Sequence, residues 1–443
     1  MQVSRRDSAI AVAALLAAAL PAGAGSAAYG GSAGGDQAGP FAESEVRVLH
    51  TLRGQRGSYF GWAISELGRR HARGGADLVI GERWGDGGQA VAGGAVTVVD
   101  GRTGRVRFRY SGEPGDQAGY AVADAGDVDR DGRADVIVGA PGNGPGHIDV
   151  VSGRTGRLLH RFSGEAPGDF FGAAVAGVGD VDRDGRPDVL VGAPRHAGQG
   201  RAYVVSGRTN RVLLTLDAED AGDQFGTATD GIGDVDGDHR RDLVVGARDA
   251  GEPGGGDGAG RGRAYVFSSR TGQRLTTIEG TPEGGDLGWF FVAGIGDVDG
   301  DRVPDIYAAD FDDVAGGLDD AGNPSGRAGV HSGADGHEIH AWTGGPGDGV
   351  GPGREAGDVD GDRVVDLAVG SYTSSAGAEN GGAVTVYSGR DGRPLVTMTG
   401  TVPGVLAGFD TVGLGRLDRD QTRDLAVSAA GGDVVYLVGL PPR

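Results

Sequence analysis

The stretch Asp180-Val-Asp-Arg-Asp-Gly-Arg-Pro-Asp188 places four carboxylates at positions 1, 3, 5 and 9 of nine residues. Four other stretches keep that spacing. They carry Asp127, Asp129, Asp131 and Asp135; Asp234, Asp236, Asp238 and Asp242; Asp297, Asp299, Asp301 and Asp305; and Asp358, Asp360, Asp362 and Asp366. Their first aspartates lie 53, 54, 63 and 61 residues apart along the chain. A period of this length marks one supersecondary unit repeated in tandem. Hard cations take several oxygen ligands at once, so each stretch is a candidate calcium loop, about five ions in all. No Glu stands at position 12 and a strand-like run follows, so these are not loops of a helix-pair calcium switch.

Around the loop centred on Asp184 the unit becomes visible. Phe171-Gly172 opens it, and a small apolar run leads into the loop. Asp188-Val-Leu-Val-Gly-Ala-Pro194 follows, then Arg201-Ala-Tyr-Val-Val205 and Arg211-Val-Leu-Leu-Thr-Leu216. These short β-branched runs, bounded by Gly, Pro and Asp, read as strands. Ser206-Gly-Arg-Thr-Asn210 joins two of them as a tight hairpin. Each unit therefore supplies four antiparallel strands. Two degenerate copies complete the set: one has Arg69, His71 and Arg73 in place of the first three ligands, the other has Arg416 before Asp418, Asp420 and Asp424. Seven such units predict an all-β, seven-bladed β-propeller with the calcium loops between strands 1 and 2 of each blade. Val46–Gly54 matches the outer-strand segment Leu158–Gly164, whereas the last copy stops after its third strand. The N-terminal strand is thus expected to complete blade seven, which removes exposed sheet edges.

Phe171-Gly172 and Gly192-Ala193-Pro194, flanking an Asp-x-Asp-x-Asp-Gly loop, resemble the FG-GAP repeat of integrin α-subunit propellers. The resemblance extends over roughly residues 46–440. Gly139-Ala-Pro141 keeps the second motif, with Tyr120 read as the Phe position, and Phe225-Gly226 keeps the first. Later copies drift, as in Leu287-Gly288 and Val350-Gly351. The resemblance implies a seven-bladed propeller, calcium in the loop after strand 1, and extracellular binding work.

Composition narrows the function classes. The 443 residues include 92 Gly and no Cys, and all 41 basic residues are Arg. Disulfides, thiolate metal sites, Cys nucleophiles, a P-loop Lys and Schiff-base chemistry are excluded. One divalent ion per loop would remove about half of the formal charge of −21. That acidity argues against nucleic acid or an anionic membrane as partner. Arg5-Arg6 followed by the apolar run Ala9–Leu20 reads as an export signal. The run is too short to span a bilayer, and no later apolar run is long enough, so no membrane span is expected in the mature chain. The expected organisation is an export signal over 1–28, a Gly/Ser-rich linker over 29–45 and the propeller over 46–440. The expected product is an exported monomer at the cell surface, in the periplasm or secreted.

No catalytic set is visible. Gly30-Gly-Ser-Ala-Gly34 mimics a nucleophile elbow but sits in the linker, and His337 and His340 fall on opposite sides of an expected strand. Long loops follow strand 2 at 82–93, 248–262, 310–327 and 371–382, on the face opposite the Asp loops. Binding function concentrates on such loops. Trp84, Phe311 and Tyr372 within them, with Trp289 near the rim, are candidate ligand-face residues. Asp310, Asp312, Asp313, Asp319 and Asp320 form a candidate acidic site there. The expected function is non-catalytic binding or adhesion to an extracellular protein or glycan. The alternatives are a secreted lectin, or a polysaccharide-degrading hydrolase or lyase on the same scaffold.

Overall fold

Runs such as Asp188-Val-Leu-Val-Gly-Ala193 are buried along their whole length, because the inner strands of a blade lie between two neighbouring blades. The computed structural model describes residues 39–68, 75–85, 93–251, 260–418, 420 and 422–441. Among them, 28 strands form seven four-stranded antiparallel sheets. Numbered in chain order, blade three consists of β10 (Ala174–Gly179), β11 (Asp188–Ala193), β12 (Arg201–Val205) and β13 (Val212–Asp217). Leu190 faces Val204, and Val191 faces Tyr203, across β11 and β12. The outermost strand β13 keeps only Leu216 buried and exposes most of its other side chains, as a half-solvated edge should.

The first strand of every blade touches the first strand of the next, from β2 (Phe60–Leu67) around to β26 (Ala407–Gly415) and back. The ring closes as the sequence predicts. β1 (Arg47–Arg53) pairs antiparallel with β28 (Val434–Gly439), and with β27 (Asp424–Ala429) the blade-seven order is β1-β28-β27-β26. The N-terminal strand is therefore the outer strand of the last blade.

The two sequence motifs have a packing cause. The Gly172 N–H donates to Gly192 O of its own blade at 2.9 Å. A Cβ on Gly192 would run into the Gly226 carbonyl of the next blade. Gly139 against Gly172, Gly246 against Gly288 and Gly370 against Gly408 repeat the arrangement. Glycine is needed here because two blade backbones meet with no room for a side chain.

Two sequence expectations change. Ala118, not Tyr120, occupies the Phe position of blade two: Gly94 bridges Ala118 as Gly146 bridges Phe171. The end of the expected linker is tied to blade six. Phe41 is buried and bridges Gly400, the Ala42 N–H donates to Thr399 O at 2.9 Å, and Glu43 accepts from Thr399 N and Oγ1. An extended segment holding an apolar anchor on a sheet edge is not a flexible spacer. The export signal and Arg69, His71 and Arg73 lie outside the described residues. Among the described residues no helix is long and apolar enough to cross a membrane.

Candidate metal loops and the opposite channel mouth

Each Asp loop leaves the end of a blade's first strand and is folded by its own carboxylates. In the loop at 180, Asp180 accepts from Asp184 N at 2.9 Å and Gly185 N at 2.8 Å. Asp182 accepts from Asp184 N at 3.0 Å, and Asp184 accepts from Arg186 N at 3.0 Å. The loop at 127 repeats these bonds within about 0.1 Å. The position-9 aspartates Asp135, Asp188, Asp242, Asp305 and Asp366 are fully buried. Asp188 shows why: Oδ2 accepts from Val181 N at 2.8 Å, and Oδ1 accepts from Gly207 N in the hairpin between strands 3 and 4 at 3.1 Å. One carboxylate thus pins two turns of the blade. Burial pushes the carboxyls of Asp135, Asp188, Asp305 and Asp366 up to about 6, and Asp242 in the same direction, against the pull of the backbone N–H donors.

Three carboxylates converge in every loop, with oxygens within 4.8 Å of one another. They are Asp127, Asp129 and Asp135; Asp234, Asp236 and Asp242; Asp297, Asp299 and Asp305; Asp358, Asp360 and Asp366; and, in the loop at 180, Asp180, Asp182 and Asp184. Not every predicted ligand is turned inward. The position-5 residues Asp131 and Asp362 pair with Arg154 at 2.7 Å and Arg390 at 2.6 Å. Asp238 Oδ2 is buried without a hydrogen-bond partner. Crowded carboxylates with one buried oxygen unmet form an all-oxygen donor set that suits a hard divalent cation. The degenerate loop of blade seven has a protein cation beside it: the Arg47 guanidinium pairs with Asp418 at 2.7 Å and with Asp420.

Backbone conformation bears on how the five loops compare. Gly132 and Gly185 at position 6 would favour tighter binding in their loops than His239, Arg302 and Arg363. Position 6 is left-handed in all five loops, but so is position 4. Arg130 and Arg183 take position 4 where Gly237, Gly300 and Gly361 take it elsewhere. Each loop therefore holds one non-glycine residue at positive φ, and the conformational argument for ranking them disappears. The position-4 arginines have a separate use. Arg130 Nη2 donates to Gly185 O at 2.6 Å and Arg183 Nη2 to Asp238 O at 3.3 Å. Arg186 and Arg240 donate to Val128 O and Val181 O. These bonds lace the loops at 127, 180 and 234 to one another.

At the other end of the inner strands, aromatic side chains from six blades close the channel. Trp62 packs on Phe409 with ring centroids 5.3 Å apart, on Tyr120 at 5.8 Å and on Phe290 at 6.3 Å. The circuit continues through Trp289, Phe311 and Tyr372 back to Phe409. Three arginines lie on these rings. Arg83 sits over Trp62 at 4.5 Å, Trp84 at 4.8 Å and Tyr120 at 5.0 Å. Arg195 lies over Phe170 at 4.6 Å and Arg248 over Trp289 at 4.3 Å.

The four predicted ligand-face aromatics thus belong to one cluster, with a correction. Phe311 and Tyr372 are 4% and 7% exposed and form its floor, because the loops that carry them fold inward over the channel. Trp84 and Trp289 are partly exposed but lie beneath Arg83 and Arg248. The candidate acidic site divides. Asp310 accepts from Gly285 N at 2.9 Å and Asp312 N at 3.1 Å, while Asp313 accepts from Thr281 Oγ1 at 2.7 Å. Asp319 instead closes its own turn on Ala321 and Asn323. His340 bonds to Gly389 O and His337 to Asp335, so they form no pair. The three arginines and Trp62, Tyr120 and Phe170 were not singled out from sequence. Their signal is positional: the aromatics flank the Phe-Gly doublet, and the arginines follow the second strand of their blades.

The FG-GAP repeat family matches residues 118–158 and 171–205. Integrin alpha-5 of Xenopus laevis is 32% identical over 216 residues, which cover 44% of this chain and 20% of that relative. Human integrin alpha-IIb is 34% identical over 217 residues, with the same coverage of each chain. Integrin alpha-PS2 of Drosophila melanogaster is 31% identical over 215 residues, covering 42% of this chain and 15% of the relative. The chain thus spans a fifth or less of the length of these relatives. The crystal structure of BBS1N in complex with ARL6DN, soaked with mercury, superposes with a TM-score of 0.57 at 12% identity. That alignment covers 90% of this chain and 98% of the other, a likeness of fold alone. The chain is a seven-bladed β-propeller that carries FG-GAP repeats and is similar, over less than half its length, to integrin α subunits.

Proposed function

We propose that the protein is an exported, calcium-loaded propeller that acts as a non-catalytic binding or adhesion module for an extracellular protein ligand. The observation that carries this reading is the division of labour between the two faces. One face is committed to acidic loops, three of them joined by arginine bonds; the other gathers aromatic and cationic side chains from separate blades. The likeness to integrin α subunits over 44% of this chain supports it.

In each loop the converging carboxylates would hold one ion, and the position-9 aspartate would couple it to the hairpin of its blade. The ion would supply the positive charge that several close carboxylates need. Ion-filled loops would fix the spacing of the blades and therefore of the loops on the far side. A lectin reading is weaker here, because the aromatic faces at the mouth are covered by guanidinium groups or buried in the cluster.

The test is immobilised full-length protein probed with extracellular matrix proteins and with a glycan array, in calcium and in chelator. The reading predicts saturable, calcium-dependent capture of a protein ligand and no depolymerisation of polysaccharides. Polymer cleavage, or capture of glycans alone, would contradict it.

A further inference from the structure

The arginines at the channel mouth are not placed as surface arginines usually are. The Arg83 guanidinium has aromatic rings around it; among the described residues no carboxylate pairs with it, and its Nε is buried without a hydrogen-bond partner. Burial draws its pKa down. Arg248 also buries its Nε without a hydrogen bond; the nearest carboxylate, Asp249, stands 3.8 Å away. Arg195 is exposed above Phe170.

The three lie on one connected floor. Tyr120 under Arg83 meets Phe170 under Arg195 at 5.2 Å. Tyr120 also meets Phe290 at 6.4 Å, and Phe290 stacks at 4.9 Å on Trp289 beneath Arg248. Neighbouring carboxylates are largely committed elsewhere. Asp433 accepts from Gly57 N and Phe60 N, Asp310 from Gly285 N and Asp312 N, and Asp249 from Gln224. Asp312 remains as an acidic neighbour of Arg248.

A guanidinium presents a planar fork of N–H donors that matches a carboxylate, and stacking on rings fixes that fork before a ligand arrives. Donors buried without a partner are costly to leave unmet. From this we infer that the channel mouth binds the side-chain carboxylates of an acidic peptide segment, with Arg83 and Arg248 as the principal contacts and Arg195 at the rim. A pyranose would need an open aromatic face, and the arginines cover those faces. This assignment rests on the binding-module reading and specifies its ligand chemistry.

The full chain in millimolar calcium is titrated with a synthetic hexaglutamate peptide, with hexaglutamine and with tetragalacturonate, following the fluorescence of Trp62, Trp84 and Trp289. Hexaglutamate is expected to bind, more weakly as salt rises, with a fluorescence change. Arg83→Gln and Arg248→Gln should each weaken it by about tenfold or more at unchanged melting temperature. Arg157→Gln, on a distant hairpin, should not. If the buried variants fail to fold, exposed Arg195→Gln supplies the test and should give a smaller but measurable loss. No hexaglutamate binding, equal binding of hexaglutamine, or affinity indifferent to all three arginines would overturn the site. Preference for tetragalacturonate would overturn the peptide assignment. Capture of a matrix protein by wild type and Arg83→Gln alike would overturn the mouth site while leaving the binding-module reading in place.

Discussion

The two ends of the inner strands are built on opposite principles. At the Asp-loop end the same nine-residue device recurs five times, and each copy is folded mostly by its own carboxylates. At the mouth the blades contribute unequally: the residue after the doublet glycine is Trp62, Tyr120, Trp289 or Phe409 in four blades and Ala173, Thr227 or Pro352 in the others. Trp62, Tyr120, Phe170, Phe290, Phe311, Tyr372 and Phe409 come from six blades and meet only when the ring is closed. Repetition serves a task that every blade needs, whereas one irregular surface serves a task the molecule performs once.

The contrast is broken most severely at Trp62, which is 8% exposed and touches aromatics from several blades. Trp62→Ala should cost about 3–5 kcal/mol, equally in calcium and in chelator. Denaturant unfolding measures it, and a calcium-dependent loss would show that the faces are coupled. At the other end, Asp188→Ala strands the N–H groups of Val181 and Gly207. It should cost about 2–3 kcal/mol even in chelator. Exposed Asp182→Ala should cost almost nothing in chelator and show its effect only when calcium is present. Equal losses in both conditions for Asp182→Ala would remove it from the metal site.

How legible each end is from sequence follows from the same contrast. The Asp loops, the four-stranded unit, the blade count and the closure by Val46–Gly54 could all be read, because a local pattern repeated seven times is self-correcting. The mouth could not. Phe311 and Tyr372 stand in Gly-rich loops that look solvent-exposed, and only long-range contacts turn them into floor. The arginines carry no motif; apart from Trp84 next to Arg83, the rings they cover lie more than twenty residues away, and the buried Nε atoms of Arg83 and Arg248 have no hydrogen-bonding group at all among the described residues. Even within the loops, glycine at position 6 is visible, but the left-handed turn at position 4 that balances it is not.

Two smaller effects sharpen the comparison. Burial, then the Asp286 charge, pushes the Asp310 carboxyl at the mouth up to about 7. Its folded value exceeds its unfolded one, so its contribution is complete below about pH 4 and is lost as pH rises through about 7. With the loops saturated by calcium, wild type should lose on the order of 1 kcal/mol between pH 5 and 8, and Asp310→Asn should flatten that slope. Melts across this range check it, and an unchanged slope would exclude Asp310 as the source. The smallest effect concerns the loop glycines. Arg183→Gly and His239→Gly each remove one non-glycine residue from positive φ. Each should change calcium binding by about 1 kcal/mol or less, and by similar amounts. A large gain for His239→Gly alone would restore the ranking by position 6.

The central claim is that converging carboxylates on one face hold divalent cations that fasten the blades. The direct measurement is a calorimetric melt of the full chain in millimolar calcium and again after chelation. A ligand that binds only the folded state at a hundred times its Kd adds about 2.7 kcal/mol per site, so several loaded loops must raise the melting temperature by many degrees. The account predicts that large drop on chelation, reversed when calcium is restored. An unchanged melting temperature would mean that the Asp loops fold the ring by their backbone hydrogen bonds alone, and would contradict the account.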